Sequence, residues 1–310
     1  MSKRILVIGS INVDYVIHTE RLPKLGETLT GSDFSMNFGG KGANQAVALA
    51  KAGCKVKMLG AVGNDLSGDL ALKNLDACGV DTCAVLRVNA PTGAAVITVC
   101  GGDNHIVLDV GANAYVTPEV IADASALFAW ADTVVMQYEI PVESVLAAAR
   151  MTHEMGKRVV INPAPVKSVD PVLYQYVDLF VPNEFEAELI TGIKQENNDD
   201  ARRAVTALKA LGCADVIVTL GERGSAYSKG NDVAFHGIYR VERVDTTAAG
   251  DSFIGGLCAK LCEGCSQDEA IDYATAVSAI TVSRAGAAAS IPTRDEVNAF
   301  LLKHRGVRVT

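Results

Sequence analysis

Short apolar runs recur along the chain, and most are followed by a stretch whose apolar positions repeat every three or four residues. The first, Ile5-Leu6-Val7-Ile8-Gly9, has the unbroken apolar character of a strand buried on both faces. Similar strands are expected over 57–62, 133–139, 158–162, 179–183 and 216–221. Helices are expected over 66–77, from Pro118, from Pro141, over 268–283 and over 294–304, with a frayed tail beyond. Thr117-Pro118 has the cap-then-proline order of a helix start, and Gly79 stands where a helix should stop. Repeated strand–helix units predict an α/β fold: a mostly parallel central sheet with helices on both faces, with all of residues 1–310 in one domain.

Two stretches depart from this pattern. From Tyr15 to Phe38 the chain is polar and turn-rich, with Pro23-Lys24-Leu25-Gly26-Glu27 and Thr30-Gly31-Ser32-Asp33 between short alternating segments. Ala94-Ala95-Val96-Ile97-Thr98-Val99, a turn at Gly101-Gly102-Asp103-Asn104, and His105-Ile106-Val107-Leu108-Asp109 read as a hairpin. Together they predict antiparallel strands outside the main sheet: a small β lid made by two insertions, about 13–38 and 92–112. Such a flap can cover a ligand and can pair with a second copy of itself, since its outer face needs burying.

The chemistry concentrates in Asp245-Thr246-Thr247-Ala248-Ala249-Gly250-Asp251, which feeds a helix over 252–261 marked by Phe253, Ile254, Leu257, Cys258 and Leu261. The first N–H groups of such a helix have no partner within it, and the helix dipole makes that end a site for negative charge. Asp251 in the first turn is either an N-cap or an acceptor for the proton of an attacking hydroxyl. Gly39-Gly40-Lys41-Gly42-Ala43-Asn44-Gln45-Ala46 opens another helix, stopped by Gly53, and is neither a Walker A loop nor a dinucleotide fingerprint. Lys41 and Asn44 stand where they could reach hydroxyls; the alternative is that Gly39 and Gly40 serve packing alone. Asn12, Asp14 and Glu139 follow strands at the carboxyl edge, where α/β sheets bind ligands, although Asn12 and Asp14 also suit an ordinary Asx turn. Thr219-Leu220-Gly221-Glu222-Arg223-Gly224 runs a strand into a two-glycine turn where backbone could lie against a nucleotide.

Composition narrows the partners. With 310 residues, 49% hydrophobic and 21% charged, the chain can bury a large core, and a net charge of −8 disfavours broad nucleic-acid or anionic-membrane binding. No basic leader with an apolar core opens the sequence and no apolar run nears the roughly 20 residues that span a bilayer, so a cytoplasmic location is expected. The eight cysteines sit among apolar neighbours and read as reduced core residues. Cys262-Glu263-Gly264-Cys265 has no second pair, and the five histidines show no H-x-x-x-H.

Asn12-Val13-Asp14, the run Gly39 to Ala46, Asn183-Glu184-Phe185-Glu186, Thr219 to Gly224 and Asp245 to Asp251, in this order and at these separations, resemble the ribokinase-like (PfkB) carbohydrate kinases nearly end to end. The resemblance implies ATP-dependent phosphorylation of D-ribose at its 5-hydroxyl. It makes Asp251 the base and Ala248, Ala249 and Gly250 a backbone anion hole, and places Asn12, Asp14, Gly40, Lys41, Gly42, Ala43, Asn44 and Glu139 around the sugar. It puts Asn183, Glu186, Thr219, Leu220, Gly221, Glu222, Arg223 and Gly224 on the ATP side, with Glu186 tied to Mg²⁺ and phosphate. It also implies a K⁺ site near Asp245, Thr247, Thr281, Arg284, Gly286 and Ser290, where the alanine-rich loop before Ser290 is shorter than the family's. A homodimer through the β lid is expected. The alternatives are 2-deoxyribokinase or another sugar or nucleoside kinase of the family and, from a different class, a non-catalytic sugar-binding protein. A nicotinamide dehydrogenase lacks its glycine fingerprint here.

Overall fold

The computed structural model describes residues 4–101 and 103–304. Strand β1 (Arg4–Ile8) lies within the main sheet and feeds two cores: Ile5 and Val7 join one apolar cluster, Leu6 and Ile8 the other. Both faces are covered, so the strand must be apolar throughout. Next, β2 (Asn12–His18) and β3 (Ser32–Gly39) leave the sheet, and α1 (Lys41–Lys51) returns to pack on it. β4 (Lys55–Leu59) pairs with β1, but β5 (Ala61–Gly63) does not continue it. The strand expected over 57–62 is therefore broken at Gly60, where a Cβ would stand 3.0 Å from the Gly9 carbonyl oxygen. The first half closes with α2 (Leu66–Ala77), β6 (Val80–Asp81), β7 (Leu86–Val88), β8 (Gly93–Cys100) and β9 (Asp103–Asp109).

The second half alternates as expected: α3 (Pro118–Asp123), α4 (Ser125–Trp130), β10 (Thr133–Gln137), α5 (Val142–Glu154), β11 (Arg158–Asn162), β12 (Leu179–Phe180), α6 (Glu184–Thr191), α7 (Asn198–Ala210) and β13 (Asp215–Thr219). Thr117 caps α3 by position only, without a side-chain hydrogen bond. β10 and β12 end earlier than expected, which leaves Glu139 and Asn183 on loops beyond the sheet. A hairpin of β14 (Ser225–Lys229) and β15 (Asp232–His236) follows, then α8 (Ala249–Cys262), α9 (Gln267–Val282) and α10 (Arg294–Lys303).

The main sheet runs β15-β14-β13-β12-β11-β10-β1-β4-β6, parallel except for the β13–β14 and β14–β15 pairs. The antiparallel edge lies outside the periodicity argument because β14 buries polar residues: the Ser228 hydroxyl accepts from the Val216 N–H at 3.0 Å and donates to Asp215. From β1 the chain goes to β4 on one side and later returns to β10 on the other. The carboxyl ends of β1 and β10 thus form a topological switch point, the crevice where open α/β sheets bind ligands.

The two insertions form a separate four-stranded sheet in the order β3-β2-β8-β9. Both hairpins are antiparallel, as expected, but β2 and β8 join them in parallel. Of the turn expected between β8 and β9, Gly102 lies outside the described residues, as does the tail beyond His304. Phe34, Val96, Ile106 and Val107 of this sheet are exposed. Where α1 crosses α8, a Cβ on Gly255 would come within 2.3 Å of the Ala48 Cβ, so glycine permits the close approach that brings α1 side chains to the start of α8. None of the eight cysteines is in a disulfide, and no helix among the described residues is long and apolar enough to cross a membrane.

Candidate active site

Helix α8 begins at Ala248, held in the left-handed region with φ 60°. Asp251 is not its cap, since no side chain caps this helix. Its carboxylate is instead turned inward and buried, where Oδ2 accepts from Asn44 Nδ2 at 3.1 Å and Oδ1 from Gln45 Nε2 at 2.9 Å. The amides depart from expectation in one respect: the Ala249 N–H donates to the Thr246 carbonyl at 3.2 Å. The N–H groups of Ala248, Gly250 and Asp251 have no acceptor among the described residues.

These amides and Asp251 line a cavity of about 180 Å³ together with Lys41, Asn162, Asn183, Glu186 and Thr219. Burial raises the Asp251 carboxyl above its ordinary range against the opposing pull of the Lys41 ammonium and the two amide hydrogen bonds. Glu186 is likewise raised by burial. Burial by itself would lower the Lys41 ammonium, but Asp251, Glu139 and Glu186 outweigh it and hold the lysine firmly charged. The cavity therefore joins a permanent cation, free N–H donors and a buried carboxylate, the combination needed to hold an anion beside a proton acceptor.

At the switch point, Glu139 Oε2 accepts from the Ser10 hydroxyl and from the Lys41 backbone N–H at 3.0 Å. Asn12 Oδ1 accepts from Asn113 Nδ2 at 2.7 Å, so Asn12 is tied to Asn113 and is not a free-standing Asx turn. Asp14 packs on Gly39, where a Cβ would lie 2.3 Å from its Oδ2. Gly40 has φ 89° and Gly42 lies against the Ser10 and Gly9 backbone, so packing accounts for all three glycines. Ala43 is buried, and its N–H donates to the Ser10 carbonyl.

Burial and the nearby Glu139 push Asp14 up to about 6. Its unfolded-state value lies near 3.9, so between about pH 4 and 6 the native state binds more protons and stability falls as pH rises. Asp14→Asn should therefore be more stable than the parent at pH 7, by on the order of 2 kcal/mol, with the difference fading toward pH 4. Thermal unfolding of both proteins across that range checks this; a difference independent of pH would contradict it.

On the other flank, Asn183 and Glu186 form a reciprocal capping box at the start of α6, and Asn183 bridges to Thr219 in parallel. Leu220, Gly221, Glu222, Arg223 and Gly224 form a tight turn, with the Leu220 N–H donating to the Gly224 carbonyl, but do not line the cavity. Arg223 is paired with Glu184 at 2.8 Å and Glu222 with Arg243 at 2.9 Å. In the expected cation set, Asp245 accepts from the Thr247 N–H and hydroxyl and from the Gly286 N–H. Thr281 and Ser290 are buried and donate to the carbonyls of Val277 and Ala287, while the Arg284 side chain pairs with Glu296. No group of three or more His, Cys, Asp or Glu among the described residues could hold a metal ion. A cation here would depend on one carboxylate with main-chain and hydroxyl oxygens, a donor set suited to a hard monovalent ion.

Sequence reasoning missed Gln45, Gln137 and Asn162. Gln45 stands inside the glycine-rich run, and Gln137 and Asn162 are the last residues of β10 and β11. A polar residue closing an apolar strand at the carboxyl edge was the available signal, the same one that marked Glu139.

Fold and cavity thus describe an α/β enzyme of anion-transferring type. The family model for pfkB family carbohydrate kinases matches residues 2–294. Over 304 residues the chain is 40% identical to the ribokinase of Haemophilus influenzae, covering 97% of this chain and 99% of that one. It is 36% identical over 300 residues to the deoxyribokinase of Salmonella typhi, covering 96% and 98%. The structure of Arabidopsis thaliana ribokinase complexed with ribose and ATP superposes with a TM-score of 0.92 at 34% identity, covering 97% of this chain and 99% of that one. The chain belongs to the pfkB family of carbohydrate kinases, and it is a sugar kinase of the ribokinase type.

Proposed function

We propose that this kinase transfers the γ-phosphoryl group of ATP to the 5-hydroxyl of D-ribose, giving D-ribose 5-phosphate and ADP. The observation that carries this reading is the buried Asp251 carboxylate, oriented by Asn44 and Gln45 at a helix start whose Ala248, Gly250 and Asp251 amides are free. Asn12, Asp14, Gly40, Asn44 and Glu139 would hold the sugar hydroxyls, with Lys41 between sugar and phosphate. Asn183, Glu186 and the turn from Thr219 would receive the nucleotide. As the bond from the sugar oxygen to phosphorus forms and the bond from phosphorus to the bridging oxygen breaks, Asp251 takes the hydroxyl proton, and ADP departs with the bridging electrons. The free amides and Lys41 stabilise the charge on the transferring group, and the second sheet closes over the sugar to exclude water.

Asn183 and Glu186 have the oxygen chemistry to receive Mg²⁺ through the phosphates, and the Asp245 loop with Thr281, Arg284, Gly286 and Ser290 that to receive K⁺. When bound, these ions supply positive charge that neutralises the phosphates and reinforces the helix start. The exposed apolar residues of the second sheet would be covered by a second copy, and the reaction belongs in the cytoplasm.

The Salmonella typhi relative makes 2-deoxyribose the second reading. Following ADP release with D-ribose, 2-deoxy-D-ribose, fructose and adenosine, with and without K⁺, decides between them. D-Ribose should give the highest kcat/KM, with K⁺ raising turnover; equal or faster turnover of 2-deoxyribose would overturn the assignment.

A further inference from the structure

At the cavity floor four side chains form a continuous chain of amide and carboxylate contacts: Asp251 and Asn162 line the cavity, while Gln45 and Gln137 lie behind them and do not. Gln137 Nε2 donates to Gln45 Oε1 at 2.6 Å, Gln45 Nε2 donates to Asp251 Oδ1 at 2.9 Å and to Asn162 Oδ1 at 3.3 Å, and Asn162 Nδ2 donates to the Val181 carbonyl at 2.9 Å. Gln45 and Gln137 are completely buried, and Asn162 is nearly so. No solvent competes for the two glutamine amides, so each has only its neighbours to bond with.

The order of donors follows from the carboxylate. An ionised Asp251 only accepts, so Gln45 must present its NH₂ end to it. That turn of the amide leaves Gln45 Oε1 facing β10, where it needs a donor, and Gln137 Nε2 is the group placed to supply one. Gln137 is itself wedged against Gly9, where a Cβ would lie 2.0 Å from Gln137 Oε1, and that oxygen has no hydrogen-bond partner. A buried acceptor left unpaired is costly, so an arrangement that keeps it must be held by what Nε2 does at the other end.

We propose that Gln45 and Gln137 are positioning residues for the phosphoryl-transfer reaction: Gln137 fixes the sense of the Gln45 amide, and Gln45 holds Asp251 ionised and aimed at the substrate hydroxyl. This rests on the reading of Asp251 as the base. The charged and titratable groups facing Asp251 are Lys41 from α1, Glu139 beyond β10 and Glu186 from α6. All remain when Gln45 or Gln137 is changed, so a shift produced by either variant belongs to the amide.

The test compares Gln45→Met, Gln137→Met and Gln45→Glu with the parent by kcat and KM across pH, by sugar and ATP affinity, and by thermal unfolding. Gln45→Met should lower kcat about 10- to 100-fold with KM changed less than about threefold, and should move the acid limb of the kcat profile up by about one pH unit, because the ionised carboxylate loses a donor. Gln137→Met, one step removed, should shift the same limb in the same direction by less. Gln45→Glu sets a second carboxylate against Asp251 and should move the limb furthest, since like charges cannot both ionise cheaply. If the Glu variant does not fold, the two Met variants still decide. Folded variants with parental kcat and an unmoved acid limb overturn the proposal. Asp251→Asn, assayed alongside, separates the failures: if it too is near normal, the reading of the base has failed, whereas an inactive Asp251→Asn beside unaffected glutamine variants refutes only the positioning role.

Discussion

Asp251→Asn should bind sugar and ATP within a few-fold of the parent and turn over about 10²–10⁴-fold more slowly, the usual scale for removing a general base. The substitution changes almost no volume, and an amide oxygen can still accept from Asn44 or Gln45, although the NH₂ end must then face the other donor. What disappears is the group able to take a proton. Stability has a definite sign as well. Burial raises this carboxyl above its unfolded value, so the native state binds more protons and is penalised as pH rises through the folded value. Neutral asparagine removes that penalty, and the variant should unfold at a temperature no lower than the parent's at pH 7. Steady-state turnover, calorimetric affinities and a melting curve give three independent readings. A kcat within about fivefold of the parent would remove Asp251 from the chemistry, while lost affinity together with a lowered melting temperature would mark it as structural.

That residue also marks where the sequence stops being legible. Periodicity is a local property, so it located α2 at Leu66–Ala77, β11 at Arg158–Asn162 and the start of α10 at Arg294. The second sheet was readable as two hairpins because each carries its own turn chemistry; the parallel pairing of β2 with β8 joins segments about 80 residues apart and leaves no local trace. The edge hairpin β14–β15 was hidden for a different reason: its buried Ser228 is satisfied by Asp215 and Val216 of the neighbouring strand and looks like a loop residue in isolation.

The site follows the same division. Asp251, Lys41 and Asn183 belong to motifs whose spacing is local. Gln45, Gln137 and Asn162 come from three elements and meet only because β1, β10 and β11 lie side by side and α1 crosses α8. The capping alternative for Asp251 was a fair reading of one helix start. It fails because Ala248 takes the left-handed conformation and caps by backbone, freeing the carboxylate to turn toward α1. One expected donor was lost to an equally local event, since the Thr246 carbonyl lies within reach of the Ala249 N–H.

Gly250→Ala separates a site built for the protein from one built for its ligand. Packing explains Gly39, Gly40 and Gly42, where a Cβ would collide with protein atoms, and alanine at any of them should destabilise the fold. Gly250 is different: it needs no positive φ, and a Cβ there would meet no protein atom within 4 Å. In the empty protein nothing opposes alanine, and the lower entropy of the unfolded chain favours it, so the variant should match the parent or exceed it by up to about 0.5 kcal/mol. The added methyl belongs to a residue that lines the cavity beside the free amides of Gly250 and Asp251. A transferring phosphoryl group held by those amides would be pushed away from them, and losing contacts of this kind costs on the order of 10²–10³ in kcat. Sugar affinity, read at the other flank by calorimetry, should change little, while turnover falls. A variant that is both stable and fully active would mean that phosphate does not sit at the start of α8, and the anion-hole assignment would then have to move elsewhere in the cavity.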